Sequence, residues 1–292
     1  MEYDHSSLSN VVSIITINWI SEGEQMKLVI LKKNRILQGL YILLILLLGI
    51  LVYENHASQS LEASHDLPHT NASSWQEEID KLTNGEEKIA YLTFDDGPSK
   101  AVTPKVLDIL KEEDVKATFF VIGKMVDTYP ETVKRAYEEG HYIANHGYHH
   151  RNAILYKNEE SFRNEIIKTD EAIGKAIGVE NYSSHLFRFP NGFISPIYRS
   201  QKRKAKSILE SMNYAFIDWN CLNNDSVKKY SNYQLLKNLQ KTSKNKGTLV
   251  ILMHDTKDVS NSSLVLKDSI EYLKKEGYQF RNFYDIIKNQ ES

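Results

Sequence analysis

The chain has 292 residues, 41% of them hydrophobic and 25% charged, which is enough apolar material for one substantial globular core with appendages. The 36 basic and 38 acidic side chains give a formal charge of -2, so the composition indicates no basic surface for nucleic acid. Cys221 is the single cysteine, which excludes an intramolecular disulfide and leaves the redox compartment open.

Residues 36–53, ILQGLYILLILLLGILVY, form an uncharged apolar run that predicts one transmembrane helix. At about 1.5 Å per residue a helix of this length spans about 27 Å, close to the hydrocarbon thickness of about 30 Å. The residues ahead of it include Lys27, Lys32, Lys33 and Arg35. By the positive-inside rule, residues 1–35 are then cytoplasmic and the rest of the chain is extracellular, at the cell membrane.

A cleaved signal peptide, which would make the protein secreted, is the alternative for this segment. We favour the uncleaved anchor because the apolar run is long for a signal peptide and Ala57-Ser58 is a weak cleavage site. Apolarity on all sides argues against a buried helix of a soluble domain. Met26 is an alternative start of the chain.

Residues 54–87 are rich in Ser, Asn, His and acidic side chains, which predicts a solvated stalk or linker with a short helix over Ser74–Leu82.

From residue 88 to residue 289, short apolar runs alternate with stretches of helical period. The predicted strands are Ile89–Phe94, Ala117–Ile122, Tyr142–Asn145, Leu186–Phe189, Tyr214–Trp219, Thr248–Met253 and Tyr278–Phe283. The predicted helices include Pro104–Glu113, Glu131–Glu139, Ser161–Ile177 and Leu264–Lys275. This alternation predicts an α/β domain with a mostly parallel sheet, whose functional residues lie where strands end.

Five of these strand ends hold reactive side chains. They are Asp95-Asp96, His146 and His150 in HGYHH, Arg188 in RFPNG, Asp218-Trp219-Asn220, and His254-Asp255 in LMHD. Taken singly, each has an ordinary explanation, such as surface histidines or a turn. Together they indicate an active site, because packing alone rarely places a metal-ligand set, an acid and base set and an Arg all at strand ends. The adjacent carboxylates add to this, since two like charges at the end of a buried strand repel each other and are costly to desolvate.

One carboxylate and two imidazoles make a three-ligand site for a divalent ion with a position left for water, as in catalytic zinc sites. Zinc is the leading metal by ligand type, and cobalt, nickel and iron accept the same donors. Metal-bound water, with a pKa lowered towards about 7, is a usable nucleophile. A second carboxylate can take its proton, an arginine can orient that carboxylate, and a histidine can protonate the leaving group. The pattern predicts a hydrolase that attacks a carbonyl.

These motifs resemble those of the polysaccharide deacetylases, the NodB-homology family or carbohydrate esterase family four. The resemblance rests on TFDDGP at Thr93–Pro98, the spaced His pair, R-x-P-x-G, D-W-N and L-M-H-D, and it covers roughly residues 88–289. It implies a distorted (β/α) barrel with a groove at the strand ends, and removal of N-acetyl or O-acetyl groups from polysaccharides.

The resemblance also implies a role for each matching residue. Asp95 is then the general base, Arg188 the residue that orients it, and His254 the general acid, with Asp218 tuning His254. Asp96, His146 and His150 are the implied metal ligands. Trp219 would line the groove. Two further assignments rest on the residues themselves and not on the resemblance. The backbone N–H of Asn191 would help to hold the oxyanion. Leu252, two residues before His254 on one strand face, would offer an apolar wall to the acetyl methyl group, although a purely packing role fits equally.

Three positions depart from the family pattern. Gly147 stands where the family usually has Ser or Thr, Phe189 where Pro is common, and Asn191 where an aromatic residue or Gly is frequent. These changes affect the rim and the fit of the substrate more than the chemistry. His149 adjoins the ligand His150, but its spacing predicts that it points away from the metal.

We therefore expect a membrane-anchored, metal-dependent deacetylase that acts on peptidoglycan at N-acetylglucosamine or N-acetylmuramic acid, with no protein partner evident. Poly-N-acetylglucosamine, chitin oligomers and acetylated xylan are alternative substrates. A catalytically silent wall-binding protein is the alternative from another class, and the presence of Asp95 and His254 argues against it. A phosphohydrolase would show further metal ligands or a phosphate-binding glycine loop.

Overall fold

A curled parallel sheet is the centre of the computed structural model, which describes residues 71–227, 230–256 and 261–287. The strands of this part of the chain are β1 (Ile89–Asp95), β2 (Thr118–Val121), β3 (Tyr142–Asn145), β4 (Leu186–Phe187), β5 (Ala215–Phe216), β6 (Cys221–Leu222), β7 (Leu249–His254) and β8 (Gln279–Arg281). Their order across the sheet is β5-β4-β3-β2-β1-β7-β6, and β8 pairs with β1.

Helices connect the strands, as expected for parallel pairing. They are α1 (Asn71–Leu82), α2 (Thr103–Glu112), α3 (Gly123–Thr128), α4 (Pro130–Glu138), α5 (Asn152–Leu155), α6 (Glu159–Ile177), α7 (Arg199–Ser211), α8 (Asn232–Ser243) and α9 (Asn261–Lys275). Local sequence sets their ends: Asn158 caps α6 through the Ser161 amide, and Ser231 and Gln234 form a capping box on α8.

The sheet is curled because its two outer strands are neighbours in the chain. β5 and β6 lie at opposite ends of the strand order, yet only the short connection 217–220 joins them. That connection spans at most about 18 Å. The outer strands of a flat sheet with this order would be about 29 Å apart. The sheet therefore forms an open half-barrel. Residues 217–220 cross its mouth, which is the gap between the two outer strands.

Alternation along the strands separates the two faces of the sheet. On β1, Leu92 and Phe94 pack outward into the core formed with the helices, whereas Tyr91 packs inward. Thr93 and Asp95 share the inward face with Tyr91 because strand side chains alternate. The same alternation on β7 brings Leu252 and His254 inward, in register with Thr93 and Asp95. The barrel interior therefore ends in the residues that the motifs predicted to be catalytic.

The predicted α/β arrangement is confirmed, and the folded domain extends further toward the N-terminus than predicted. Helix α1 covers the predicted helix Ser74–Leu82 within the segment expected to be a stalk. Its Trp75 and Ile79 are buried in the same cluster as the inward residues of the strands, and Trp75 contacts the ring of His185. Because burial of this apolar face stabilises the barrel, α1 is part of the domain although it precedes residue 88.

The predicted transmembrane helix at 36–53, the cytoplasmic segment 1–35 and most of the predicted stalk lie outside the described residues. Among the helices that the structure describes, none is both long enough and apolar enough to cross a membrane.

Candidate active site

Asp95 ends β1 and receives its orientation from Arg188, as the motif predicted. Arg188 Nη1 donates to Asp95 Oδ1 over 2.8 Å and to Thr93 Oγ1 over 2.6 Å. Asp95 Oδ2 lies 3.9 Å from His146 Nε2. One carboxylate oxygen is therefore bound by the guanidinium, and the other faces the predicted metal ligands.

The guanidinium of Arg188 is fully buried, and every side of it has a partner. Nε donates to the carbonyl of Ile217 and Nη2 to the carbonyl of Asp218, while the Phe120 ring lies 4.0 Å below the guanidinium carbon. These contacts come from β1, β2 and the segment that crosses the barrel mouth. Arg188 is thus preorganised, so its bond to Asp95 needs no rearrangement.

Asp96, His146 and His150 converge as the motifs predicted. His146 Nε2 and His150 Nε2 lie 3.5 and 3.2 Å from Asp96 Oδ1, and one donor atom from each residue falls within a 4.8 Å cluster. His146 and His150 follow β3, the second strand from β1, and Asp96 follows β1 itself. Strand ends at the same edge of the sheet thus bring together residues that are far apart in sequence.

The cluster fits a divalent cation. Asp96 Oδ1 is buried and has no hydrogen-bond partner among the residues that the structure describes, although a buried carboxylate oxygen ordinarily has one. The Nδ1 atom of His146 lies 2.8 Å from the carbonyl of Arg188. That carbonyl fixes the proton on Nδ1, which leaves Nε2 with its lone pair toward Asp96. One unpartnered anion and two imidazoles are a donor set suited to zinc, cobalt, nickel or iron.

The charges of the cluster act on one another. Burial favours the neutral form of Asp96, but His146, His150 and His254 together hold the pKa of its carboxyl well below the usual range. For His150, burial and the neighbouring His146 lower the pKa of the imidazole. For His146, burial lowers the pKa of the imidazole, but Asp95 and Asp96 raise it overall. Metal coordination requires an ionised Asp96 and neutral imidazoles, so the shifts of Asp96 and His150 favour it and that of His146 opposes it.

His254 ends β7 and is paired with Asp225. Its Nδ1 lies 2.7 Å from Asp225 Oδ1, and its backbone N–H donates to Asp225 Oδ2 over 2.9 Å. Burial alone would lower the pKa of His254, but the bond to Asp225 and the charges of Asp225, Asp95 and Asp96 raise it to about 9. The imidazole is therefore protonated at neutral pH and can deliver a proton from Nε2.

The predicted pairing of Asp218 with His254 is wrong. The Asp218 carboxylate instead accepts hydrogen bonds from the backbone N–H groups of Phe193, at 2.7 Å, and Ile194, at 3.1 Å. Asp218 lies on the segment that crosses the barrel mouth, and there its side chain faces the loop after β4. Asp225 follows β6, which pairs with β7, so Asp225 is the acid next to His254.

The residues predicted to contact substrate surround this centre. Trp219 is half-buried against Gly192, whose added Cβ would lie 3.0 Å from the indole ring. Asn191 is exposed in the loop that Asp218 holds. Leu252 is buried on the same strand face as His254, as predicted from their spacing.

His149 lies outside the ligand cluster, as predicted, and its Nδ1 is 2.6 Å from Glu165 Oε1.

Sequence reasoning missed three residues that complete the site: Asp225, Thr93 and Glu165. Asp225 follows a strand of only two residues, too short to show an alternating pattern. Thr93 is part of TFDDGP and lies two residues before Asp95 on the same predicted strand. Residues two apart on a strand share a face, so this spacing could have indicated that Thr93 accompanies Asp95. Glu165 lies in α6, 16 residues after His149, and no motif indicated it.

A carboxylate that can accept a proton and a histidine that can donate one thus flank three potential ligands, at the open end of a β/α half-barrel. This organisation is that of a hydrolytic enzyme.

Comparisons with known proteins point to the same class of protein, a hydrolytic enzyme. The polysaccharide deacetylase family model matches residues 83–211. The chain is 33% identical over 210 residues to the peptidoglycan-N-acetylmuramic acid deacetylase PdaA of Bacillus subtilis (strain 168), covering 72% of this chain and 75% of that protein. It is 37% identical over 213 residues to a peptidoglycan-N-acetylglucosamine deacetylase of Bacillus cereus, covering 69% of this chain and 72% of the relative.

Among solved structures, a Streptococcus mutans CE4 esterase superposes with a TM-score of 0.63 at 27% identity, covering 71% of this chain and 90% of the esterase. The chain therefore belongs to the polysaccharide deacetylase family, and it is a hydrolase that acts on acetylated polysaccharide.

Proposed function

We propose that the protein removes N-acetyl groups from peptidoglycan, at N-acetylglucosamine or N-acetylmuramic acid, with the help of a divalent ion. The two relatives described above are named for these two sugars of peptidoglycan. The observation that carries the chemistry is the register of β1 and β7, in which Asp95 is the direct partner of His254. A proton acceptor and a proton donor thus stand side by side on neighbouring strands, about 4.8 Å apart at the backbone.

In the proposed reaction, water adds to the acetyl carbonyl carbon while Asp95 Oδ2 accepts a proton from the water. Arg188 keeps Oδ1 engaged, so the other oxygen remains directed at the substrate. His254 Nε2 then gives its proton to the amide nitrogen as the C–N bond breaks, which releases acetate and a free amine. Asp225 retains the proton on Nδ1 and stabilises the imidazolium.

Asp96, His146 and His150 would hold the ion, and zinc ranks first by donor type. When bound, the ion supplies a Lewis acid next to Asp95. Leu252 would form the wall against the acetyl methyl group, and Trp219 would line the groove. The backbone N–H of Asn191 would donate a hydrogen bond to the oxyanion. The buried position of Leu252 and the half-buried position of Trp219 support these roles.

We also propose that segment 36–53 anchors the enzyme in the cell membrane with its catalytic domain toward the wall. The support is the uncharged run and the basic residues before it in the sequence.

The test follows acetate release by the purified full-length chain from isolated peptidoglycan, chitin oligomers and poly-N-acetylglucosamine, with and without a chelator. We expect chelator-sensitive acetate from peptidoglycan. Asp95→Asn, which keeps the shape of the side chain, is the inactive control. Acetate from another polymer alone would replace the substrate in the proposal, and none from any polymer would favour a wall-binding role.

A further inference from the structure

The two histidine ligands are joined by the loop Gly147-Tyr148-His149, so the position of this loop decides whether both imidazoles reach Asp96 together. His150, at its end, has a positive φ of 53°. A non-glycine residue in that conformation is strained and persists only where neighbouring contacts impose it. The contacts of the loop therefore bear directly on the ligand geometry.

One side of the loop is fixed by backbone groups of α3. The amides of Gly123 and Lys124 donate to the carbonyls of Gly147 and Tyr148 over 3.1 and 3.0 Å. Position 123 requires glycine, because an added Cβ would lie 2.5 Å from the Tyr148 ring. These contacts orient the carbonyls of the loop and leave its amides to other partners.

The other side of the loop is held by Glu165, a side chain of α6 that is 3% exposed. Glu165 Oε2 accepts the amides of Tyr148 and His149 over 3.0 and 2.9 Å. Glu165 Oε1 lies 2.6 Å from His149 Nδ1. One buried carboxylate thus binds three donors of the loop, and bonds to an ionised acceptor are about twice as strong as neutral ones.

Gly147 sets the course of the loop past Glu165. Its φ is +81°, a region that favours glycine. A Cβ at this position would be in ordinary contact with Glu165 Oε2, at 3.6 Å, so the backbone conformation and not a lack of space favours glycine here. The Ser or Thr that the motif usually has at this position is absent, and the acceptor for the loop amides comes from α6 instead.

We propose that Glu165 is a positioning residue for the metal site: it holds the loop so that His146 and His150 face Asp96 with little reorganisation when an ion binds. It contacts none of the ligand side chains and acts through the backbone between them. This inference rests on the proposed use of a divalent ion, and it predicts an effect on metal affinity itself, separate from catalysis.

The test is Zn²⁺ affinity, measured by competition with a chromophoric chelator, for the full-length chain stripped of metal. Replacement of an outer partner of metal ligands typically weakens binding by about 10–100-fold, and we expect a loss in this range for Glu165→Ala. Glu165→Gln keeps the size of the side chain but offers one acceptor oxygen for three donors, so we expect a loss of about tenfold. The visible spectrum of the Co²⁺-loaded chain should change in the same variants, since it reports ligand geometry.

Glu160→Gln is the matched control, because it removes the same charge from an exposed position of the same helix. It should bind Zn²⁺ like the parent chain. If Glu165→Ala does not fold, the positioning role is tested with the double variant Glu165→Gln, His149→Ala. This variant also lacks the contact between the His149 ring and the side chain at position 165.

Parent-like Zn²⁺ affinity in a folded Glu165→Gln, His149→Ala chain would overturn the positioning role and leave the proposed function standing. A parent chain that binds no Zn²⁺, Co²⁺ or Ni²⁺ would remove the proposed metal dependence, and this inference with it.

Discussion

Replacement of Asp225 by Asn should lower the alkaline limit of the reaction, the pH above which activity is lost. Asp225 bonds both Nδ1 and the backbone N–H of His254, and it is the main group that raises the pKa of this imidazole to about 9 against the effect of burial. Asn is of similar size and keeps an acceptor for Nδ1, but it carries no charge. The pKa of His254 should therefore fall toward the ordinary value of about 6.5.

The size of the effect depends on pH, because the reaction needs the protonated form of His254. At pH 8 the protonated fraction should fall from about 90% to about 3%, a loss of roughly 30-fold, whereas at pH 6 the loss should be less than twofold. Activity is thus retained at low pH and lost as the pH rises through the lowered pKa.

The assay is the initial rate of acetate release between pH 5.5 and 9.5, with metal content determined in parallel. Asp218→Asn is the comparison, because the sequence predicted that residue as the partner of His254 while its carboxylate instead holds the backbone at Phe193 and Ile194. We expect Asp218→Asn to raise KM without moving the alkaline limit. An equal loss at all pH values in Asp225→Asn would refute the proton-donor reasoning, and so would a moved limit in Asp218→Asn.

Further predictions test the remaining roles. Asp95→Asn should keep bound metal and lose activity, whereas Asp96→Asn should lose both; equal metal loss in metal analysis would contradict the division of the acid pair. His254→Ala should keep the metal and lower kcat by a factor on the order of 10²–10⁴, and a smaller loss would speak against general acid catalysis. Trp75→Ala should lower the free energy of unfolding by about 3–5 kcal/mol in denaturant titrations, since Trp75 is 6% exposed in the barrel core; an unchanged midpoint would place α1 outside the domain.

The central strands could be predicted from the sequence because their residues are buried on both faces. β1 and β7 are buried at every position and form continuous apolar runs. Helix α7 was not singled out, because its sequence RSQKRKAKSILES buries only Lys202, Ala205 and Leu209. A helix with so narrow an apolar face gives little periodic signal.

The candidate site was predictable where a motif gives both residue type and place. Asp95, Asp96, His146, His150 and Arg188 converge as predicted, because each follows a strand end that the apolar runs had located. The acid that pairs with His254 was not predictable in this way. Three acids, Asp218, Asp225 and Asp255, lie close to strand ends, and only the pairing of β6 with β7 selects Asp225.

The curl of the sheet has a consequence for self-association. Unpaired edges of a sheet are templates on which a second chain can add a strand, and native proteins shorten such edges or turn them away. Here the two outer strands, Ala215–Phe216 and Cys221–Leu222, are two residues long and are tied to each other by the connection that carries Asp218 and Trp219. Both ends of the ladder are thus too short to recruit a strand from a neighbouring molecule, and the segment that crosses the barrel mouth ties them to each other.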